Sequence, residues 1–154
     1  MKKILIKNPS IIATMNDKME EWSGGHILIE EDKIVSIGKQ PYTGVFDEEI
    51  DASGMVVLPG FINTHHHLFQ SLTRNIPRMQ DEELFPWLVD HYEVWREVND
   101  EAIFTSAKTG LVEMMLSGVS TSSDHLYLFP SKCNNELIDI EIKGLSLLQK
   151  QIDS

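Results

Sequence analysis

The chain has 154 residues, 42% of them hydrophobic and 24% charged, with 24 acidic against 13 basic side chains and a formal net charge of −11. Such a composition suits a globular protein with one modest core. It excludes a nucleic-acid-binding surface, because phosphate contacts need basic clusters. No apolar run reaches the ~18–20 residues of a membrane span, and a single cysteine, Cys133, gives neither an internal disulfide nor a thiolate metal cluster. A reducing cytoplasm is the expected location.

The first apolar run, Ile4-Leu5-Ile6, is flanked by lysines. A secretory core needs ~7–15 apolar residues, so this run predicts a strand over residues 3–7 instead. A second short strand is predicted over 11–14, after the turn signal Asn8-Pro9-Ser10. Residues 16–25 are polar connection ending in Gly24-Gly25. Residues 26–30 and 33–38 then predict a hairpin around Glu31-Asp32, with the turn type open because neither Asn-Gly nor Asp-Gly is present. His26 opens this hairpin far from the other histidines and is given a structural or solvated role. Residues 45–52 predict a weak strand interrupted by acids, and residues 55–58 follow after Gly54.

The chain is organised around Val56-Val57-Leu58-Pro59-Gly60-Phe61-Ile62-Asn63-Thr64-His65-His66-His67. This apolar run breaks at Pro59-Gly60, resumes with Phe61 and Ile62, and ends in three histidines. Alternation along an extended strand puts His65 and His67 on one face and His66 on the other. Two imidazoles on one side of a strand end form half of a first-row metal site. The other reading is a polar strand terminus that carries histidines, since His-x-His is a short pattern.

Residues 68–80 form a loop carrying Gln70 and Arg74. Residues 81–98 predict a helix, with Leu84, Trp87, Leu88, His91 and Trp95 at three- and four-residue spacings and Pro86 in the first turn. His91 is assigned to packing. Asn99-Asp100-Glu101 is a helix start, an N-cap followed by two acids. Ala102, Ile103, Ala107, Leu111, Met114 and Met115 give that helix an apolar face, and Gly118 ends it. Residues 119–123 predict a strand ending at Asp124-His125, where Asp124 is read as a turn cap and His125 as either a pocket or a packing residue. Residues 136–151 predict a last helix with Leu137, Ile140, Leu145 and Leu148 near one face.

Pro59-Gly60-Phe61-Ile62-Asn63-Thr64-His65-His66-His67 resembles the first barrel-strand motif of the amidohydrolase superfamily. Glu83-Leu84-Phe85-Pro86-Trp87-Leu88 and Ser117-Gly118-Val119-Ser120-Thr121-Ser122-Ser123-Asp124-His125 look like the branch of 8-oxoguanine deaminases, hydroxyatrazine ethylaminohydrolases and related heterocycle aminohydrolases. The resemblance runs from about Lys3 to about Gly144. It implies an α/β fold: the amino-terminal part of a metal-dependent hydrolase (β/α)8 barrel, about its first two strand-helix units, preceded by a small all-β domain segment. The expected division is 1–58 for a small β-sandwich-like composite domain segment and 59–154 for a truncated TIM-barrel segment. A closed barrel takes ~250 residues, more than twice the stretch that remains after Leu58.

The resemblance further implies a divalent metal, zinc with iron as the alternative, held by His65 and His67 together with a third histidine and an aspartate from later strands. It implies hydrolytic deamination of a small purine- or triazine-like heterocycle, with Gln70, Trp87 and His125 as substrate-binding positions. An amide offers both donor and acceptor to a ring edge, and an indole can stack on a planar ring. No residue of this chain fills the general acid-base role, so the 154-residue chain is expected to be inactive alone. The alternatives are a non-catalytic remnant or interaction module, or an amidohydrolase acting on another C–N or C–Cl bond. Self-association through an unpaired strand edge is the expected protein contact.

Overall fold

The computed structural model describes residues 1–133 and 136–152, without the side chains of 148–152. The chain divides into two compact units, Met1–Pro59 and Gly60–Ser154.

The first unit is all β. Strands β1 (Lys3–Lys7), β2 (Ile11–Ala13), β3 (Glu21–Trp22), β4 (His26–Glu30), β5 (Lys33–Gly38), β6 (Glu48–Asp51) and β7 (Val56–Val57) form two sheets, ordered β5-β4-β1-β6 and β3-β2-β7. β1 runs antiparallel to β4 and parallel to β6, and β2 runs antiparallel to β3 and parallel to β7. Leu5, Ile12, Ile27, Leu28 and Ala52 are its buried apolar residues.

Residues 16–25, expected as connection alone, contain β3, a two-residue strand that pairs Trp22 with Ile12. So short a strand owes its existence to that partner and leaves no alternation in the sequence. The weak strand expected over 45–52 shrinks to β6, whose four residues are all exposed. It is held by parallel pairing to β1 and by cross-strand ion pairs, Lys2–Glu48 at 3.0 Å and Lys7–Glu49 at 2.7 Å. The β4–β5 turn uses Glu31 at φ 54°. Glu31 takes this unfavoured conformation because its backbone N–H donates to the Lys2 carbonyl at 2.9 Å and its carboxylate accepts from the Lys2 backbone N–H at 2.6 Å. His26 is structural: Nδ1 meets the Gln40 carbonyl at 2.6 Å and Nε2 the Ser36 hydroxyl at 2.9 Å.

The second unit is α/β. Strands β8 (Phe61–Asn63) and β9 (Val119–Ser122) form a parallel pair, and helices α1 (Leu84–Trp95) and α2 (Asp100–Leu116) lie between them in sequence. Helix α3 (Leu137–Ile152) comes after β9 and packs on α2. Pro86 is the third residue of α1, inside the first turn where its missing N–H breaks no helical bond. His91 and Trp95 of the expected stripe are buried, but Leu84 is exposed because it opens the helix. α2 begins as expected, with the Asn99 side chain accepting from the Ala102 N–H at 3.0 Å. Gly118, at φ 78°, turns the chain into β9, and its carbonyl accepts from the Phe61 N–H at 2.9 Å.

The packed face of α2 differs from the apolar stripe: Ser106 and Gly110 are buried beside Ile103, Ala107 and Met114. Ser106 Oγ donates to the Leu68 carbonyl at 2.8 Å and accepts from the Leu72 N–H at 3.2 Å, clamping the 3-10 turn Leu68–Gln70 onto the helix. A Cβ on Gly110 would stand 2.6 Å from Ser71 Oγ, so only glycine allows this approach. On α3, Leu137 and Glu141 are buried while Leu145 is exposed; the side chain of Leu148 lies outside the described residues. Two cores result, one around Phe69, Trp95, Ile103, Leu128 and Leu137, the other around Leu68, Ala107 and Met114. Among the described residues no helix is long and apolar enough to cross a membrane.

Candidate metal centre

β8 stops at Asn63, yet the chain stays extended through the histidines because it keeps hydrogen-bonding to the segment after β9. Ser123 N–H donates to the Asn63 carbonyl at 2.9 Å and His125 N–H to the His66 carbonyl at 2.9 Å. Asn63 adds a local brace, its side-chain carbonyl accepting from the His65 N–H at 3.1 Å. The carboxyl ends of two parallel strands therefore lie side by side, the end at which barrel enzymes carry their sites.

His65 and His67 project to one side, with their Nε2 atoms 3.1 Å apart. Two nitrogens held ~2.0–2.1 Å from one tetrahedral centre would stand roughly 3.3 Å apart, so this spacing suits a shared cation. His67 Nδ1 lies 2.9 Å from the His125 backbone carbonyl. A carbonyl can only accept, so Nδ1 carries the proton and Nε2 offers its lone pair, the outer-shell arrangement common to metal-binding histidines. The His125 ring completes a group whose nitrogens all lie within 4.8 Å of one another. Imidazole donors of this kind fit zinc and its first-row neighbours.

His66 turns the other way, against α2, where a Cβ on Gly110 would stand 3.3 Å from its Cε1. Its buried Nδ1 has no hydrogen-bond partner among the described residues. Burial pushes the His66 pKa below the ordinary value, with the nearby Asp124 charge opposing the shift.

Gln70 stands at the same cleft, a cavity of about 200 Å³ lined by His65, His66, His67, Gln70, Ser71 and Arg74. Its amide donates to the Tyr127 hydroxyl at 2.8 Å. The Tyr127 ring meets His67 edge-on with centroids 5.2 Å apart, and burial raises the pKa of its hydroxyl. Arg74 is solvent-exposed and ion-paired with Glu113 of α2. Trp87 is placed elsewhere: its ring lies 3.9 Å from His91 and 5.7 Å from Trp95, packed on the larger core. The Trp95 indole in turn donates to Thr73 Oγ1 at 2.9 Å.

Two acids behind the histidines were not legible as parts of the site. Asp124 Oδ1 accepts from the Leu68 N–H at 2.7 Å and so holds the segment directly after His67. Glu141 of α3 is buried against Asp124, and its pKa is pushed up to about 8, first by burial and then by the charge and hydrogen bond of Asp124. Only the short Ser-Ser-Asp-His segment hinted at Asp124, and nothing in the α3 pattern marked Glu141 as inward-facing.

The sequence profile of the Amidohydrolase family matches residues 56–139, the stretch that carries all of these groups except Glu141. The chain belongs to the amidohydrolase family. The 8-oxoguanine deaminase of Pseudomonas aeruginosa is 38% identical over 144 residues, covering 92% of this amidohydrolase chain and 31% of that relative. The 5-methylthioadenosine/S-adenosylhomocysteine deaminase of Bacillus cereus is 38% identical over 118 residues, 73% of this chain and 26% of the relative. Among solved structures, a triazine hydrolase from Arthrobacter aurescens aligns with TM-score 0.86 at 30% identity over 97% of this chain and 34% of its own. The atrazine chlorohydrolase of the same organism, solved with zinc, aligns at 0.85 and 30% identity over 95% of this chain and 34% of its own. The amidohydrolase chain thus spans about a third or less of the length of the proteins it matches. Zinc is the metal named with the chlorohydrolase structures.

Proposed function

We propose that this chain is the metal-binding, amino-terminal part of an aminohydrolase that deaminates a purine- or triazine-like ring in the cytoplasm. In this reading residues 1–58 belong to a small composite β domain and residues 59–154 to the first part of a (β/α)8 barrel. The observation that carries the proposal is the 3.1 Å approach of His65 and His67 Nε2 at the carboxyl end of a parallel strand. His65 and His67 would hold zinc, and a bound zinc supplies Lewis acidity and a water acidified to a pKa of about 7.

The chain's own residues do the positioning. The His125 carbonyl fixes the His67 tautomer, Asp124 and Ser106 hold the turn after His67, and Tyr127 orients the Gln70 amide toward the edge of a ring. The cavity of about 200 Å³ is smaller than the ~300–1,000 Å³ of typical ligand pockets, in line with one wall of a site rather than a whole one. Among the described residues no carboxylic acid lines the cleft to protonate a leaving amine, so the 154-residue chain alone is inactive in this reading.

A second reading, displacement of a different leaving group such as chloride, is favoured by the likeness to the atrazine chlorohydrolase. A chimera in which this chain replaces the matching third of the Pseudomonas deaminase separates the readings. Ammonia release from 8-oxoguanine that vanishes in the His65→Ala and His67→Ala chimeras supports deamination. A folded chimera that releases chloride from a chlorotriazine, and no ammonia from 8-oxoguanine, contradicts it.

A further inference from the structure

We infer that the slot between α2, α3 and the segment after β9 is a binding site for a small organic cation, a protonated amine on an apolar body. The inference goes beyond the metal-binding reading and stands without it, since the slot shares no lining residue with the histidine cleft.

Three observations carry it. First, the slot has the size of a ligand site. Its volume is about 410 Å³, inside the ~300–1,000 Å³ of typical ligand pockets. Leu111 and Met114 of α2, Leu126, and Ile138 and Ile142 of α3 give it apolar walls, and Ile138 and Ile142 remain 61% and 53% exposed. Second, Ile138, Glu141, Ile142 and Leu145 recur at three- and four-residue spacings, so one acid stands within the apolar face that α3 turns to the slot. Glu141 is only 7% exposed, and its buried Oε1 has no hydrogen-bond partner among the described residues. Buried oxygens without a donor are rare in folded proteins. This one lies at the wall of a slot, where a ligand can bring the donor. Third, the other acid of the slot is Asp124, and among the described residues no Lys, Arg or His lines it.

These features select the charge of the ligand. Glu141 keeps its proton because burial beside Asp124 disfavours a second negative charge. An ammonium group brings an N–H for the orphaned oxygen and a positive charge to balance the acids. A neutral alcohol brings only a donor, and a carboxylate brings neither. A bare divalent metal ion would need a shell of oxygen ligands, which the apolar walls do not offer.

Hexylamine is the probe, with 1-hexanol and hexanoate as controls of the same chain length, titrated calorimetrically at neutral pH into the full 154-residue chain. The amine should bind roughly tenfold or more tighter than the alcohol, and hexanoate should not bind. The Met114 methyl resonance of the unmutated chain should move on adding hexylamine, while that of Met79, buried away from the slot, stays; this arm needs no variant to fold. Glu141→Gln, with circular dichroism to establish that it folds, should weaken the amine roughly tenfold and leave the alcohol nearly unchanged. Equal binding of amine and alcohol, an unmoved Met114 resonance, or unchanged amine affinity in a folded Glu141→Gln chain overturns the inference and leaves the metal reading untouched.

Discussion

Asp124 accepts a hydrogen bond from the backbone N–H of Leu68 at 2.7 Å, joining the end of one parallel strand to the residue directly after the His-x-His pair. Ser106 holds the same residue from the other side through the Leu68 carbonyl. Both polar groups of one peptide segment are therefore fixed, and the direction of the His67 ring is set by that constraint. Asp124→Ala leaves a part-buried N–H without its acceptor and is expected to cost about 1–3 kcal/mol. Asp124→Asn keeps an oxygen for Leu68 and should recover most of the loss. Urea unfolding of the two variants checks this, and equal stabilities would mean that the Leu68 contact is not what Asp124 contributes.

Ser106→Ala should lower stability by a similar amount, about 1–3 kcal/mol, since it leaves the Leu72 N–H without this acceptor and the Leu68 carbonyl with the Ser71 N–H alone. A value within a few tenths of a kcal/mol of the unmutated protein would show that water replaces the hydroxyl.

Glu141 makes stability depend on pH. Its pKa rises from 4.5 to about 8 on folding, so the folded chain keeps a proton that the unfolded chain has lost. Protons bound to the folded state exceed those bound to the unfolded state between these values, and stability contributed by this group falls as pH rises from about 4.5 to about 8. The cause is burial beside Asp124, which disfavours a second charge. Glu141→Gln should flatten the slope and stabilise the protein at pH 8. Denaturation midpoints measured at pH 5 and pH 8 test this; an unchanged slope in the variant would assign the pH dependence to other groups.

β8 and β9 pair only with each other among the described residues, leaving a backbone edge on each side. Phe61 and Ile62 on β8 are exposed beside one of those edges. Unprotected apolar edges template pairing with another chain, and the net charge of −11 slows such association without removing its cause. The 154-residue chain should self-associate with rising concentration, and Ile62→Lys should shift it toward monomer. Light scattering that shows a monomer at all concentrations in the unmutated chain would mean that the edge is protected.

Much of this was legible locally. The β4–β5 hairpin, the Asn99 cap and the Gly118 turn arise from residue chemistry within a few positions. The convergence of His65 and His67, with His66 turned away, comes from two-residue alternation. What failed to show were features set by partners distant in sequence. β3 exists only through β2. Ser106 and Gly110 are buried because the turn after His67 needs a hydroxyl and then space. Trp87 packs against His91 and Trp95, contacts that the helical spacing allows but does not specify. Glu141 faces inward because Asp124 lies opposite, which a helical periodicity of apolar residues cannot reveal. His125 was read as either a pocket or a packing residue at the end of the second strand, and the β8–β9 register brings it to the other histidines.

Calorimetric zinc titration at neutral pH, comparing the unmutated chain with His66→Ala and with the His65→Ala/His67→Ala double variant, tests the central claim most directly. Affinity should be nearly unchanged in His66→Ala, whose ring lies against α2, and lost in the double variant, whose missing nitrogens stood 3.1 Å apart. Affinity lost in His66→Ala and kept in the double variant would contradict the account.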